Sequence, residues 1–125
     1  MVATAAFYHL PPRVLPAVQA VEGGRVGTVS LNTDGSQDLG LMQINTIWVG
    51  PIARYTGQTP QSVRVRLIAQ PCFGIAAAGA ILRTYLNEER GDLMRAIGDY
   101  HSHTRARNIW YQGMVRGAAA RLFGG

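Results

Sequence analysis

Of seven carboxylates in the 125 residues, only Glu22 falls at an apolar helix end. Val14, Val18 and Val21 recur at helical spacing, as do Leu15, Val18 and Glu22, so the apolar stripe runs into the carboxylate. Gly23 and Gly24 follow and end the helix. A glutamate on the buried side of a helix C-terminus is costly as an anion, because desolvation and the negative end of the helix dipole both disfavour the charged form. An acid kept neutral near pH 7 can protonate a leaving group, which is general acid catalysis. The competing reading is a partly buried glutamate paired with an arginine such as Arg25.

The other candidates are weaker. Glu88, Glu89 and Asp92 sit beside polar helix boundaries where solvated or capping roles suffice. Asp38, in the run Gly35-Ser36-Gln37-Asp38-Leu39-Gly40, reads as a cap of the Leu39-to-Asn45 turn. His101 and His103 stand two apart with no third ligand motif and make a poor zinc site, so no metal is expected. Cys72 is the only cysteine, which excludes an internal disulfide and a cysteine zinc cluster.

The net charge of +5 comes from twelve basic residues, all arginine. Arginine suits carboxylates and phosphates alike, so the charge favours a polyanion without choosing among nucleic acid, anionic lipid and an acidic wall polymer. Arg64 with Arg66, and Arg105 with Arg107, read as solvated faces. No recognition helix, zinc motif or aromatic-basic ribonucleoprotein signature supports nucleic acid, and none is expected as a partner.

These residues must be positioned by a compact chain, since 47% of residues are hydrophobic and 15% charged. The length predicts one domain over residues 1–125. Pro11 and Pro12 read as the start of the first helix. Short β-like pieces over Val26 to Leu31, with the turn-rich run Asn32 to Ser36, predict a hairpin or ordered loop. Thr46 to Tyr55 reads as a short helix interrupted near Pro51, and Thr59-Pro60 opens another that reaches Ala69. Pro71 opens what reads as the longest helix, with Ile75, Gly79, Leu82 and Leu86 on one face. Asp92 caps a helix bearing Leu93, Ala96, Ile97 and Tyr100, and a last helix carries Tyr111, Val115, Ala118 and Leu122 on one stripe. The fold class is α+β, mostly α, with a small β-containing lobe after the first helix. No stretch approaches the ~20 apolar residues of a membrane span, and residues 1 to 10 lack the basic and apolar regions of a secretion signal.

Five blocks in order, AVQAVEGG, Val29-Ser30-Leu31, GSQDLGLMQIN, PCFGIAAAGAILRTYL and AIGDYHSHTRARNIWY, cover about residues 12 to 111. In them the sequence resembles the soluble lytic transglycosylase family, whose catalytic domain is related to goose-type lysozyme. GLMQIN shortly after a helix ending in glutamate is the most specific part. The YHS form of the last block is most similar to the specialised subgroup that accompanies secretion, conjugation and pilus systems.

The resemblance implies a lysozyme-like fold and cleavage of the β-1,4 bond between N-acetylmuramic acid and N-acetylglucosamine in peptidoglycan. Glu22 would be the proton donor and then the base, with a 1,6-anhydro product. Asp38 would be the second acidic residue, supporting charge or positioning water. Gln43, Asn45 and the adjacent backbone would contact the N-acetyl sugar, and Ser30 would face the strand. Tyr100 would orient the Glu22 carboxyl, and His101 would lie on the substrate side. The resemblance also implies no cofactor, a periplasmic or envelope location, a monomer, and components of a secretion or pilus apparatus as partners. A lysozyme-like muramidase and a weakly active peptidoglycan-binding or assembly module are the alternatives. Gly23 stands where the family usually has serine, and Gly74 where it commonly has asparagine. Both departures leave the proton donor in place and are read as tolerated, though they make reduced or substrate-restricted activity more plausible.

Overall fold

The structure, a computed structural model, describes residues 1–124. The chain divides into two compact units, one formed by Met1–Val21 and the chain from Gly79 on, the other by Glu22–Ala78. Helix α2 (Val14–Glu22) ends one residue past the first boundary, and α5 (Pro71–Glu88) runs through the second.

The first unit is helical: α1 (Val2–Phe7), α2 to Val21, the second half of α5, α6 (Leu93–His101) and α7 (Arg105–Phe123). Helix α2 buries Val14, Leu15, Ala17 and Val18, the stripe that its spacing predicts. It starts at Val14, after the proline pair, and α1 has no counterpart in the sequence reading.

Small residues set how closely these helices approach. A Cβ on Gly79 would stand 2.5 Å from Thr4 Cγ2 and 2.8 Å from Tyr8 Cδ2, so α1 and the residues after it lie directly on α5. A Cβ on Gly98 would overlap the side chain of Asn108, and this close approach joins α6 to α7. The buried Asn108 amide lies 2.9 Å from Asp99 Oδ1, 3.1 Å from the Arg95 carbonyl and 3.3 Å from the Ser102 carbonyl. Asp92 caps α6 as expected, accepting from the Arg95 amide at 3.2 Å.

Helix α7, at 19 residues, exceeds the 18 of α5, which the sequence pattern ranks first. Tyr111, Val115 and Ala118 are buried, but Leu122 is 52% exposed. The apolar stripe stops one turn before the helix does. Among the described residues no single helix is long and apolar enough to cross a membrane.

The second unit holds an antiparallel sheet of three strands in the order β1 (Val29–Leu31), β2 (Gln37–Leu39) and β3 (Ile44–Asn45). The turn between β1 and β2 is the predicted Asn32-to-Ser36 run. Asp34 Oδ1 accepts from the Ser36 amide at 2.9 Å and the Ser36 hydroxyl at 2.6 Å. Those two bonds hold the Asp34 carboxyl below its ordinary pKa.

A 3-10 turn (Thr46–Trp48), α3 (Val49–Thr56), α4 (Pro60–Ala69) and the first half of α5 complete the unit. Pro51 does not interrupt α3, contrary to expectation. It sits in the first turn, where an N–H has no helical partner to lose. Thr59 caps α4, accepting from the Ser62 amide at 3.1 Å. Leu39, Met42, Ile44, Val63 and Leu67 are each no more than 1% exposed.

Gly40, with φ of 67°, follows β2, and a Cβ there would overlap the Leu67 carbonyl oxygen. Gly35, with φ of 87°, has open space around it. Gly40→Ala should therefore combine left-handed strain with a backbone clash and cost about 2–5 kcal/mol. Gly35→Ala should cost only the strain, about 1–2 kcal/mol. Urea midpoints of the two variants check this, and equal losses would contradict the close approach.

Candidate active site

Glu22 is the last residue of α2 and is half-buried. Gly23, with φ of 66°, turns the chain. Gly24 is then buried against the turn that follows β2. A Cβ on Gly24 would overlap the carbonyl oxygens of Gly40 and Leu41 and lie 2.9 Å from Gln43 Cγ. Only glycine allows that approach, and through it the helix end that carries the acid meets the Gly40-to-Gln43 segment.

Gln43 has φ of 53°, a left-handed conformation that costs a residue with a Cβ roughly 1–2 kcal/mol. Its amide and its side-chain Nε2 both donate to the Gly40 carbonyl, at 3.2 and 2.9 Å. Met42 and Ile44 on either side are 0% and 1% exposed, as expected of packing residues, while Gln43 is half-buried. The twist keeps a polar side chain out of the core between two residues that enter it.

The sheet aligns three more of the predicted residues. Ser30 pairs with Asp38, and Asp38 with Asn45. Directly opposed residues of antiparallel strands project to the same face, so the three form one polar row. Val29, Leu39 and Ile44 form the row on the other face. The Asn45 amide donates to Asp38 Oδ1 at 3.1 Å and to Ser36 Oγ at 3.0 Å. Its Oδ1 accepts from the Ile47 amide at 3.0 Å and caps the 3-10 turn. Asp38 thus lies within β2 and accepts from a neighbouring side chain, rather than capping the Leu39-to-Asn45 turn.

Glu22, Ser30, Asp38, Gln43 and Asn45 all belong to the second unit, whereas Tyr100 and His101 belong to the first. Tyr100 is half-buried on α6. His101, exposed at the end of α6, stacks on Tyr111 with ring centroids 5.1 Å apart and planes 8° apart, and lies 5.4 Å from Trp110.

The sequence reading passed over Asp99, which is 4% exposed. Burial pushes its carboxyl above the ordinary carboxylate range; His103 opposes that shift, and Glu89 and Glu88 add to it. The available signal was its place three residues after the buried Ala96, on the same side of α6.

A family model for the transglycosylase SLT domain matches residues 2–118. The chain belongs to that family. Among curated proteins, Protein IpgF of Shigella flexneri is 30% identical over 98 residues, which are 78% of this chain. The chain spans about three fifths of that relative's length, since the matched part is 60% of it. The mostly helical fold with one small antiparallel sheet is that of an SLT domain. In this SLT domain, the glycine in place of serine after Glu22 occupies a left-handed turn with open space around it. At Gly74 a Cβ would meet only the Leu67 carbonyl, at 3.8 Å, so the buried site has room for a small side chain.

The polar row makes unequal demands on its members. Asn45→Ala removes a cap and both donors to Ser36 and Asp38, and should cost about 1–3 kcal/mol. Asp38→Asn keeps a carbonyl oxygen for the Asn45 amide and should cost less than about 1 kcal/mol. Thermal unfolding of the two variants checks the order.

Proposed function

We propose that this SLT domain is a peptidoglycan lytic transglycosylase with Glu22 as its single acid and base. The observation that carries the reading is the half-buried carboxyl at the close of α2, on a helix end seated through Gly24 against the turn that bears Gln43. Protonated Glu22 donates to the glycosidic oxygen between N-acetylmuramic acid and N-acetylglucosamine, and the bond from the anomeric carbon to that oxygen breaks. The Glu22 carboxylate then takes the proton of the C6 hydroxyl as that oxygen closes on the anomeric carbon. The products are a 1,6-anhydro-muramyl end and a free N-acetylglucosamine hydroxyl, and no water is consumed.

The substrate's own N-acetyl group can stabilise the positive anomeric centre, so a second carboxylate is not compulsory. Asp38, whose Oδ1 accepts from the Asn45 amide, would support developing charge instead of attacking. Gln43 and Asn45 offer the amides that suit an N-acetyl sugar, and Ser30 extends the same polar face. The whole chain acts as one catalytic domain in the cell envelope. The resemblance of its YHS block to the specialised subgroup points to local wall opening for a secretion or pilus apparatus.

Glu22→Gln should lower the rate of wall lysis by about 10²–10⁴ with little change in Tm. Mass analysis of the soluble products from purified peptidoglycan should show anhydromuropeptides, each one water lighter than its hydrolysed counterpart. Reducing ends in their place would mean a muramidase. Wall binding without soluble products, unchanged in Glu22→Gln, would mean a binding module.

A further inference from the structure

We propose that Glu88, Asp99 and His103 form a binding site for one divalent transition-metal ion of the zinc class. The three residues come from the end of α5, from α6 and from the loop before α7, all within the first unit. None of them has a part in the glycan chemistry proposed for Glu22.

The geometry comes first. His103 Nε2 lies 3.8 Å from Asp99 Oδ1 and 3.9 Å from Glu88 Oε2, and the three ligand atoms all fall within 4.8 Å of one another. A tetrahedral centre with bonds of about 2.0–2.2 Å holds its ligand atoms roughly 3.3–3.6 Å apart. Each separation to His103 therefore closes by about half an ångström or less on binding. The Glu88 and His103 side chains, 55% and 62% exposed, can make that movement.

The second observation concerns Asp99. Its side chain is 3% exposed, and its Oδ2 has no hydrogen-bond partner, the one such buried atom among the described residues. Glu88 and Glu89 bring further negative charge to the same place. The nearby Arg95 guanidinium is engaged by Glu89 at 2.9 Å. A buried, half-satisfied carboxylate among other carboxylates is costly unless a cation joins it. Asn108, donating to Asp99 Oδ1 at 2.9 Å, already holds the carboxylate in place, as residues behind a metal ligand do.

The donor set selects the ion. One imidazole nitrogen and two carboxylates leave a fourth position for water, a set that suits zinc and its neighbours, whereas calcium and magnesium favour oxygen donors alone. Such an ion would pin the α6–α7 loop to the end of α5.

Titration calorimetry of the full chain with zinc chloride at pH 7.5, in a Cys72→Ser background that removes the exposed thiol, tests this. The expected result is one saturable site with a rise in Tm. His103→Ala and Glu88→Gln should weaken binding at least tenfold while leaving the metal-free Tm nearly unchanged, and His9→Ala should bind as the parent does. Asp99→Asn should raise the metal-free Tm by relieving the buried charge and yet abolish the zinc-dependent rise, a combination that a purely structural role would not produce. The proposal is overturned by the absence of a saturable site, by binding that survives His103→Ala, or by calcium or magnesium binding more tightly than zinc. A negative result would leave the Glu22 chemistry intact.

Discussion

Backbone packed on backbone is the constraint on which the second unit depends. The chain leaving α2 lies against the carbonyls of Gly40 and Leu41, and Gly40 in turn lies against the carbonyl of Leu67 at the end of α4. Three passes of chain are stacked with no side chain between them. Contacts of this kind admit no rotamer adjustment, so the end of α2, and with it Glu22, is set relative to Gln43 by main-chain geometry. The same contacts explain why glycine occupies both positions, one of them also needing φ of 67°.

The strain at Gln43 makes sense in that frame. Burying Met42 and Ile44 completely is worth about 1.5–3 kcal/mol for each side chain. A left-handed residue between them costs roughly 1–2 kcal/mol, less than that gain. Two hydrogen bonds to the Gly40 carbonyl hold the twist in place. On the neighbouring strands strict alternation sends Leu39 and Ile44 inward and leaves Asp38 and Asn45 on the polar face. One short segment thus closes the core and presents amides without burying an unpaired polar group among these residues.

Much of this was legible because its signals are local. The Thr59 and Asp92 caps, the Asn32-to-Ser36 turn and the glycine stop after Glu22 each depend on residues within a few positions of one another. What local pattern could not show depends on distant neighbours. The two residues of β3 are a strand only because β2 pairs with them, and α1 depends on the hollow at Gly79. Pro51 looked like a break because its position within the helix was unknown. The meeting of Gly24 with Gly40 has no signature in spacing. The family resemblance, not periodicity, made Gln43 a candidate for contact with the sugar.

Burial separates Glu22 from Asp99. A carboxyl that exchanges protons with a polymer must be desolvated enough to stay neutral and open enough to be reached. Glu22, half-buried at a helix end, combines partial burial with access to solvent. Asp99, 4% exposed and with one oxygen sealed from solvent, lacks that access. Its Oδ1 is held by the Asn108 amide where α6 meets α7. A buried acid that substrate cannot reach must be stabilised by something small, and a proton or a metal ion is small enough. Under the proposed function, accessibility more than the degree of desolvation is what fits Glu22, and not Asp99, to the glycan chemistry.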